Sequence, residues 1–446
     1  MKKNNNIYRD IIILGLPILI GQLGSIVTAF ADNIMVGHYS TEAMASASFV
    51  NNVFNVAILC CVGFTYGITP LVGALFGRGK HEEIGATLRR GFRINILFCC
   101  LISLIMAILY FLIDDMGQPQ ELLPFIKPYY LIVLSSILFI SIFNVFAQWS
   151  YAMDNSRMPM WIILGANALN IFGNWLLIYG HLGAPEMGLT GAGISTLVSR
   201  VVCALLILII FIKSKQYKKY RQGWVDRHIQ GIKSSKIWST SLPVSMQMAF
   251  ETGAFSLSAV MAGWLGKIEL ASFQIIVIIG TLGFCIYYAI GAATSVKVAN
   301  ASTNNNNPHQ AMRRAAIAGY HIMLVIMIIS SLIFLTLGKH LMAAFSDDIS
   351  VLSMSSTLII PLVIYQLGDA TQITFANALR GTSRVMPMLW IAFVSYIIIG
   401  LPSTYLLAFT AGLGLWGIIL SFSVSLFIAG FLFLFFFLKV TKYTRK

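Results

Sequence analysis

Charged side chains are scarce in this sequence: Asp, Glu, Lys and Arg make up 10% of its 446 residues. Soluble proteins carry about a quarter. With 58% hydrophobic residues and a mean hydropathy of +0.81, that scarcity excludes an ordinary soluble domain. Catalytic signatures are missing as well. No HExxH, GxSxG, Walker A or paired CxxC motif occurs, and the loops are too short to hold a soluble catalytic domain, so an enzyme is not expected. The six cysteines (Cys60, Cys61, Cys99, Cys100, Cys203 and Cys285) all fall in apolar stretches, which suits buried small hydrophobes rather than a disulfide or metal framework. The seven histidines form no ligand-spaced cluster. His321 alone lies within an apolar stretch, where a helix-to-helix hydrogen bond is expected.

What the chain does have is long apolar runs. Twelve exceed the 18 or so residues that mark a membrane span: roughly 11–37, 43–75, 92–113, 122–151, 160–180, 189–212, 237–264, 268–297, 315–338, 351–379, 388–409 and 414–438. The net charge of +14 follows from where the cations fall and needs no nucleic acid. With a cytoplasmic N-terminus, twelve spans place 26 of the 30 Lys and Arg inside, only Lys127, Lys267 and Lys339 outside, and Arg200 within a span. That bias predicts both termini in the cytoplasm and supports the span count, since one missed helix would scramble it. The start of the chain imitates a cleavable signal peptide, with Lys2-Lys3, an apolar run and Ala29-Phe30-Ala31. The run is too long for one, however, and its Leu16-to-Gly37 pattern recurs at 242–263, so a retained first helix is expected.

The recurrence is general. At an offset of 226, Leu16-Pro17 returns as Leu242-Pro243, Met35 and Gly37 as Met261 and Gly263, and Ala45-Ser46 as Ala271-Ser272. Gly188-Leu189 and Gly191 return as Gly414-Leu415 and Gly417. Such a duplication in an apolar chain marks a two-lobed transporter with its site between the lobes. Six spans per repeat is even, so both halves enter from the same side and their pseudo-twofold axis runs along the membrane normal. The expected fold is an all-α integral membrane protein of twelve transmembrane helices in two pseudo-twofold-related six-helix lobes. Residues 1–212 form the N-terminal lobe, the basic segment 213–236 a cytoplasmic linker, and 237–446 the C-terminal lobe. The Asn304–Asn307 run reads as a solvated loop.

Ionisable groups at membrane depth are costly and need a reason. Asp32, Glu251 and Asp369 qualify. Helical spacing gathers Ser25, Thr28 and Asp32 on one face, Gln247, Glu251 and Ser258 on a second, and Tyr365, Asp369 and Gln372 on a third. Asn167, Asn170 and Asn174 share a further face, and Thr196 precedes Arg200 by one turn. These faces must look into protein or water rather than lipid. The acids ignore the repeat: Glu251 corresponds to Ser25, Asp32 to Ser258, and Asp369 to a position near Ile142. Helix glue would favour matched positions, so the mismatch suggests that two similar scaffolds carry different chemistry. Structural hydrogen bonds or an ion pair with Arg200 are the plainer alternative. Arg200 is expected to be a counter-ion or a cytoplasmic-side gate, and Pro17 a flexure point in the first span.

Leu16-Pro17 followed by Ala31-Asp32-Asn33-Ile34-Met35-Val36-Gly37 resembles the first helix of the multidrug and toxic compound extrusion (MATE) transporters. Leu242-Pro243 with Phe250-Glu251 is similar to the seventh helix of their NorM-like branch, and Tyr365-Gln366-Leu367-Gly368-Asp369 with Gln372 and Leu379-Arg380-Gly381 to its tenth. Leu169-Asn170 with Asn174, and Gly191-Ala192 leading to Thr196, resemble the fifth and sixth. The resemblance spans essentially the whole chain. It implies two six-helix lobes around a V-shaped central cleft and cation-driven export of amphiphilic, often cationic, compounds. It also implies a C-lobe coupling-ion site of Glu251, Asp369 and Tyr365, which the helix faces extend to Gln247 and Gln372, and an N-lobe site of Asp32, Asn170, Asn174 and Thr196. The chain departs from the family at Asn174, where Asp is frequent, and near Asn377-Ala378, where Gly is common. Proton or sodium is the expected coupling ion, with no other cofactor. The expected partners are small organic cations and the lipid bilayer, without nucleic acid, and the setting is a bacterial inner membrane with the chain as a monomer. A flippase for lipid-linked saccharides is the rival transport reading. Its phosphate cargo would want several basic side chains in the spans.

Overall fold

The structure, a computed structural model, describes residues 6–116, 118–303, 307–343 and 348–442. Lys2 and Lys3, Asn304 to Asn306, and Arg445 and Lys446 lie outside the described residues. Helix is the only regular structure among the described residues. The physical reason is that lipid offers a backbone no hydrogen-bond partners, so each spanning segment must satisfy its own.

Twelve long helical segments follow in order. They are α1 (Ile7–Tyr39), α2 (Thr41–Gly77, two helices meeting at Tyr66–Gly67), α3 (His81–Tyr110), α4 (Leu123–Ala152), α5 (Arg157–Tyr179) and α6 (Gly188–Lys213). The second half continues with α7 (Ser234–Leu265), α8 (Lys267–Ala301), α9 (Pro308–Ala343), α10 (Ile349–Thr357 and Ile359–Gly381), α11 (Met386–Thr410) and α12 (Gly414–Val440). Ten are long and apolar enough to cross a membrane, and the two arms of α10, bent by 48°, make an eleventh. The 32-residue α7 is long enough but more polar, because it carries Ser and Thr along with Gln247 and Glu251. Besides the broken α2, two of the expected continuous spans are irregular. In α10 the break falls at Leu358, and α11 widens into π-helical turns at Phe393–Gly400 and Leu406–Thr410 on either side of Pro402. A proline has no N–H to donate and interrupts the regular ladder there.

Two compact units emerge. One comprises Ile20–Ser245; the other comprises the chain up to Leu19 and from Met246 onward. The division differs from cuts at 212 and 237: α1 and α7 each contribute their first turns to one unit and the remainder to the other. Each crossover falls two residues beyond the matched prolines Pro17 and Pro243. In the Ile20–Ser245 unit a core of Val50, Phe54, Tyr130 and Ile137 joins α2 to α4, and the Tyr130 hydroxyl donates to the Met106 carbonyl at 2.7 Å. In the other unit Phe273, Phe334, Leu358, Ile418 and Phe422 do the equivalent work. His321 meets Tyr8 between α9 and α1, with Nδ1 and the hydroxyl 3.0 Å apart, as its place in an apolar run suggested. All six cysteines are free.

The basic segment 213–236 is more than a tether. It forms a helix at Lys218–Val225 that packs on α3. Tyr217, Tyr220 and Trp224 enter an aromatic cluster with Trp149, Phe146, Phe92 and Phe211. Burial pushes the Tyr217 and Tyr220 hydroxyls up from their ordinary value. Arg89 donates to the Trp224 and Asp226 carbonyls at 2.9 Å, and Arg90 to those of Gly231 and Ile232 at 2.7 and 3.1 Å. Gly85 and Gly223 allow backbone-to-backbone approach, since a Cβ at either would strike the Tyr220 or Glu82 carbonyl. The sequence carried the signal in Tyr217, Tyr220 and Trp224, spaced to share one face of a short helix.

Candidate ion and cargo sites

In the Ile20–Ser245 unit, α1, α5 and α6 bring Asp32, Asn170, Asn174 and Thr196 together. The Asn174 amide donates to Asp32 Oδ1. Asn170, with its amide nitrogen toward the carboxylate, donates to the same oxygen at 2.8 Å while its oxygen accepts from the Thr196 hydroxyl at 3.2 Å. Ser195 donates to the Asn170 carbonyl at 2.8 Å and fixes α5 against α6. Both amides are buried, whereas Asp32 is half-buried and open to solvent or cargo. Its Oδ2 accepts no hydrogen bond from a described residue, and Asn174 Oδ1 is buried without one.

Arg200 acts on Asp32 by charge but does not pair with it; its guanidinium donates to the Ser136 hydroxyl at 2.5 Å. Tyr129, within reach of both charges, extends toward Asn51 at 3.4 Å. Ser25 and Thr28, expected on the Asp32 face, turn their hydroxyls back to the Gly21 and Gly24 carbonyls and bring no donor to the carboxylate.

In the other unit the Gln247 amide donates to Glu251 Oε2 at 2.7 Å, one turn apart on α7. Asp369 on α10 is close enough for its charge to repel that of Glu251, and Tyr365 and Tyr396 feel both. Asp369 is 2% exposed and accepts no hydrogen bond from a described residue. Gln372, one turn beyond it, is buried with its side-chain oxygen unbonded, and so is the Gln247 oxygen. Two carboxylates that share a buried site cannot both stay ionised cheaply unless a proton or a metal cation joins them. Both sites thus keep buried acceptor oxygens to which no described residue donates. That composition suits a proton or a hard cation such as sodium.

The MatE family model matches residues 17–176 and 243–406, most of the chain. The chain belongs to the MatE family. Members are transporters rather than enzymes, and this one is a multi-pass membrane protein. Solved MATE structures share its fold. An outward-facing multidrug resistance MATE transporter of the MOP superfamily is 18% identical over 99% of this chain and 98% of its own, with a TM-score of 0.88. The eukaryotic MATE transporter AtDTX14 is 17% identical over 97% of each chain, at 0.85. A MOP superfamily transporter from Pyrococcus furiosus, 19% identical over 98% and 96% at 0.85, is described as having a binding pocket of reverse polarity that suggests a different function. The architecture is therefore the twelve-helix, two-lobed MATE fold.

Several residues beside these candidate sites of the MATE transporter carry no signal in the pattern of the sequence. Arg380, at the end of α10, is buried among its neighbours; it donates to Asn377 Oδ1 at 3.0 Å and its charge reaches Glu251. Each unit thus has an arginine whose charge reaches a candidate carboxylate, Arg200 for Asp32 and Arg380 for Glu251. The break at Leu358 does not shorten the second arm of α10, which runs on to Gly381 and carries Arg380. Tyr396 arrives beside Glu251 on the π-helical part of α11, whose phase no regular periodicity foretells. Gln366, within the Tyr365-to-Asp369 motif, accepts from Ser330 at 2.9 Å through its side-chain oxygen and ties α10 to α9.

Asp32→Asn tests the first cluster. An amide there keeps an oxygen for Asn170 and Asn174 but turns two charge-assisted hydrogen bonds into neutral ones, so about 1–3 kcal/mol of stability should be lost and cargo affinity should fall. Thermal unfolding and equilibrium binding of a fluorescent cation report the two effects separately. Unchanged values for both would show that the carboxylate is not the acceptor the geometry describes.

Proposed function

We propose that this MATE transporter is a cation-coupled antiporter that exports amphiphilic organic cations by alternating access. The observation that carries the reading is the surplus of unbonded acceptor oxygen at Asp32–Asn174 and at Gln247–Glu251–Asp369, with Asp32 and Glu251 half-open to solvent. Cargo and coupling ion compete for the same negative charge. A proton or sodium ion entering from outside neutralises the carboxylates and releases the cargo, and the ion-loaded form then changes conformation. The crossover of α1 and α7 two residues past Pro17 and Pro243 supports those prolines as flexure points, because a helix-interior proline removes one backbone hydrogen bond. Exchanging one proton for one monovalent cation is electrically neutral. Each additional coupling ion would contribute about 2.3 kcal/mol per 100 mV.

The lipid-linked saccharide flippase is less well supported. Its phosphate needs uncommitted basic groups, whereas Arg200 and Arg380 each donate to a neighbouring side chain and the carboxylates outnumber them. The orientation read from the sequence, with both termini in the cytoplasm of a bacterial inner membrane, belongs to the same proposal.

Purified protein in liposomes loaded with ethidium distinguishes these readings. An imposed proton or sodium gradient should accelerate ethidium movement against the coupling-ion flux, and whichever gradient works alone names the ion. If neither gradient moves ethidium while a lipid-linked saccharide is translocated, the antiporter reading is wrong.

A further inference from the structure

Beyond the antiport sites, the Lys218–Val225 helix and the start of α3 enclose a cavity of ≈ 330 Å³ lined by Arg89, Phe92, Arg93, Trp224, Val225 and Arg227. Arg89 feels the charges of Arg90, Arg93 and Arg227, against one carboxylate, Asp226. That carboxylate is engaged by the His228 backbone N–H at 2.8 Å. Arg89 and Arg90 are anchored on linker carbonyls. Arg93 and Arg227 are exposed and make no hydrogen bond to a described residue. Four guanidiniums gathered around one acid repel one another unless an anion joins them.

The surroundings say which kind of anion. From Arg93, one face of α3 continues as Leu97 (68% exposed), Leu101 (50%), Leu104 (58%) and Ile108 (56%), an apolar stripe at helical spacing. From Leu97 to Ile108 it measures about 17 Å at 1.5 Å per residue, near half of a ~30 Å hydrocarbon core. Val225, at the cavity, is 75% exposed. A phosphate held by guanidiniums, with an apolar track of one leaflet's depth beneath it, fits a lipid and not a free ion.

We propose that this cavity binds the phosphate headgroup of an anionic phospholipid, with Arg93 and Arg227 on the phosphate and an acyl chain along Leu97, Leu101, Leu104 and Ile108. Its placement in the cytoplasmic leaflet rests on the orientation given under the proposed function; the binding itself does not. Bound there, the lipid clamps the linker segment to α3, because Arg227 lies just past the linker helix and Arg93 on α3.

The test is native mass spectrometry of the detergent-purified protein titrated with phosphatidylglycerol, with phosphatidylcholine, and with phosphatidylglycerol in the presence of millimolar inorganic phosphate. The first bound phosphatidylglycerol should be retained in preference to phosphatidylcholine, and inorganic phosphate should leave it in place. Replacing Arg93 and Arg227 together by Gln should weaken that first binding about thirtyfold. Val225→Glu, which sets a carboxylate at the cavity without removing an arginine, should weaken it as well. Equal affinity in the double variant, equal affinity for the two lipids, or displacement by free phosphate would each overturn the assignment. No gradient or cargo enters the measurement, so its outcome is independent of the antiport reading.

Discussion

Glu251→Gln and Asp369→Asn should each slow gradient-driven ethidium export by a factor of about ten to a hundred. The estimate follows from the site. Interactions with a charged group contribute about 1.5–3 kcal/mol, and every 1.4 kcal/mol is tenfold. Either amide keeps the shape of the side chain while removing the negative charge and offering an N–H where acceptors are already in surplus. Asp369→Asn should be the more severe, because that carboxylate is 2% exposed and no described residue donates to it, so nothing in the fold replaces what the coupling ion supplied. Tyr365→Phe should cost less, since the ring remains beside Phe255 and Phe422 and only a hydroxyl is lost. Initial rates from liposomes carrying matched amounts of folded protein make the comparison. Wild-type export by the double variant would remove these carboxylates from the mechanism.

The largest effect on stability is expected at a position with no part in transport. Trp149→Ala should lower stability by about 3–5 kcal/mol, the usual range for deleting a buried aromatic side chain. Trp149 is fully buried, with ring centroids of Tyr217 at 5.0 Å, Phe211 at 5.3 Å and Tyr220 at 5.6 Å. Its indole N–H has no partner among the described residues, so the contribution is packing rather than hydrogen bonding, and Trp149→Phe should recover most of it. Because two of those three neighbours belong to the linker, the Ala variant should also expose Lys218, Lys219 and Arg221 to trypsin much faster than the wild type. Thermal unfolding in detergent gives the first quantity and limited proteolysis the second. An unshifted midpoint in the Ala variant would show that the linker is not held by this cluster.

Lipid makes some features of such a chain legible and hides others. A spanning segment must be apolar on its outer surface and satisfied along its backbone, so run length alone located the helices, and the duplication alone gave the two-lobed plan. The cost of a carboxylate at membrane depth singled out Asp32, Glu251 and Asp369 before any coordinates, and periodicity placed Asn170 and Asn174 on one face. Periodicity also assumes regular helices. It therefore missed the bend at Leu358, the π-helical turns of α11 that deliver Tyr396, and the approach of Arg380 to Glu251.

From its sequence alone, then, this protein was legible as a duplicated, all-helical membrane transporter with three costly acids, because hydrophobic length and charge placement are local quantities. Which oxygens lack donors, which arginines are already committed, and that the basic linker folds onto α3 were decided only in three dimensions. Those are relations between side chains that arrive from separate helices; the Tyr217, Tyr220 and Trp224 spacing marks a face on the linker but not the surface that receives it.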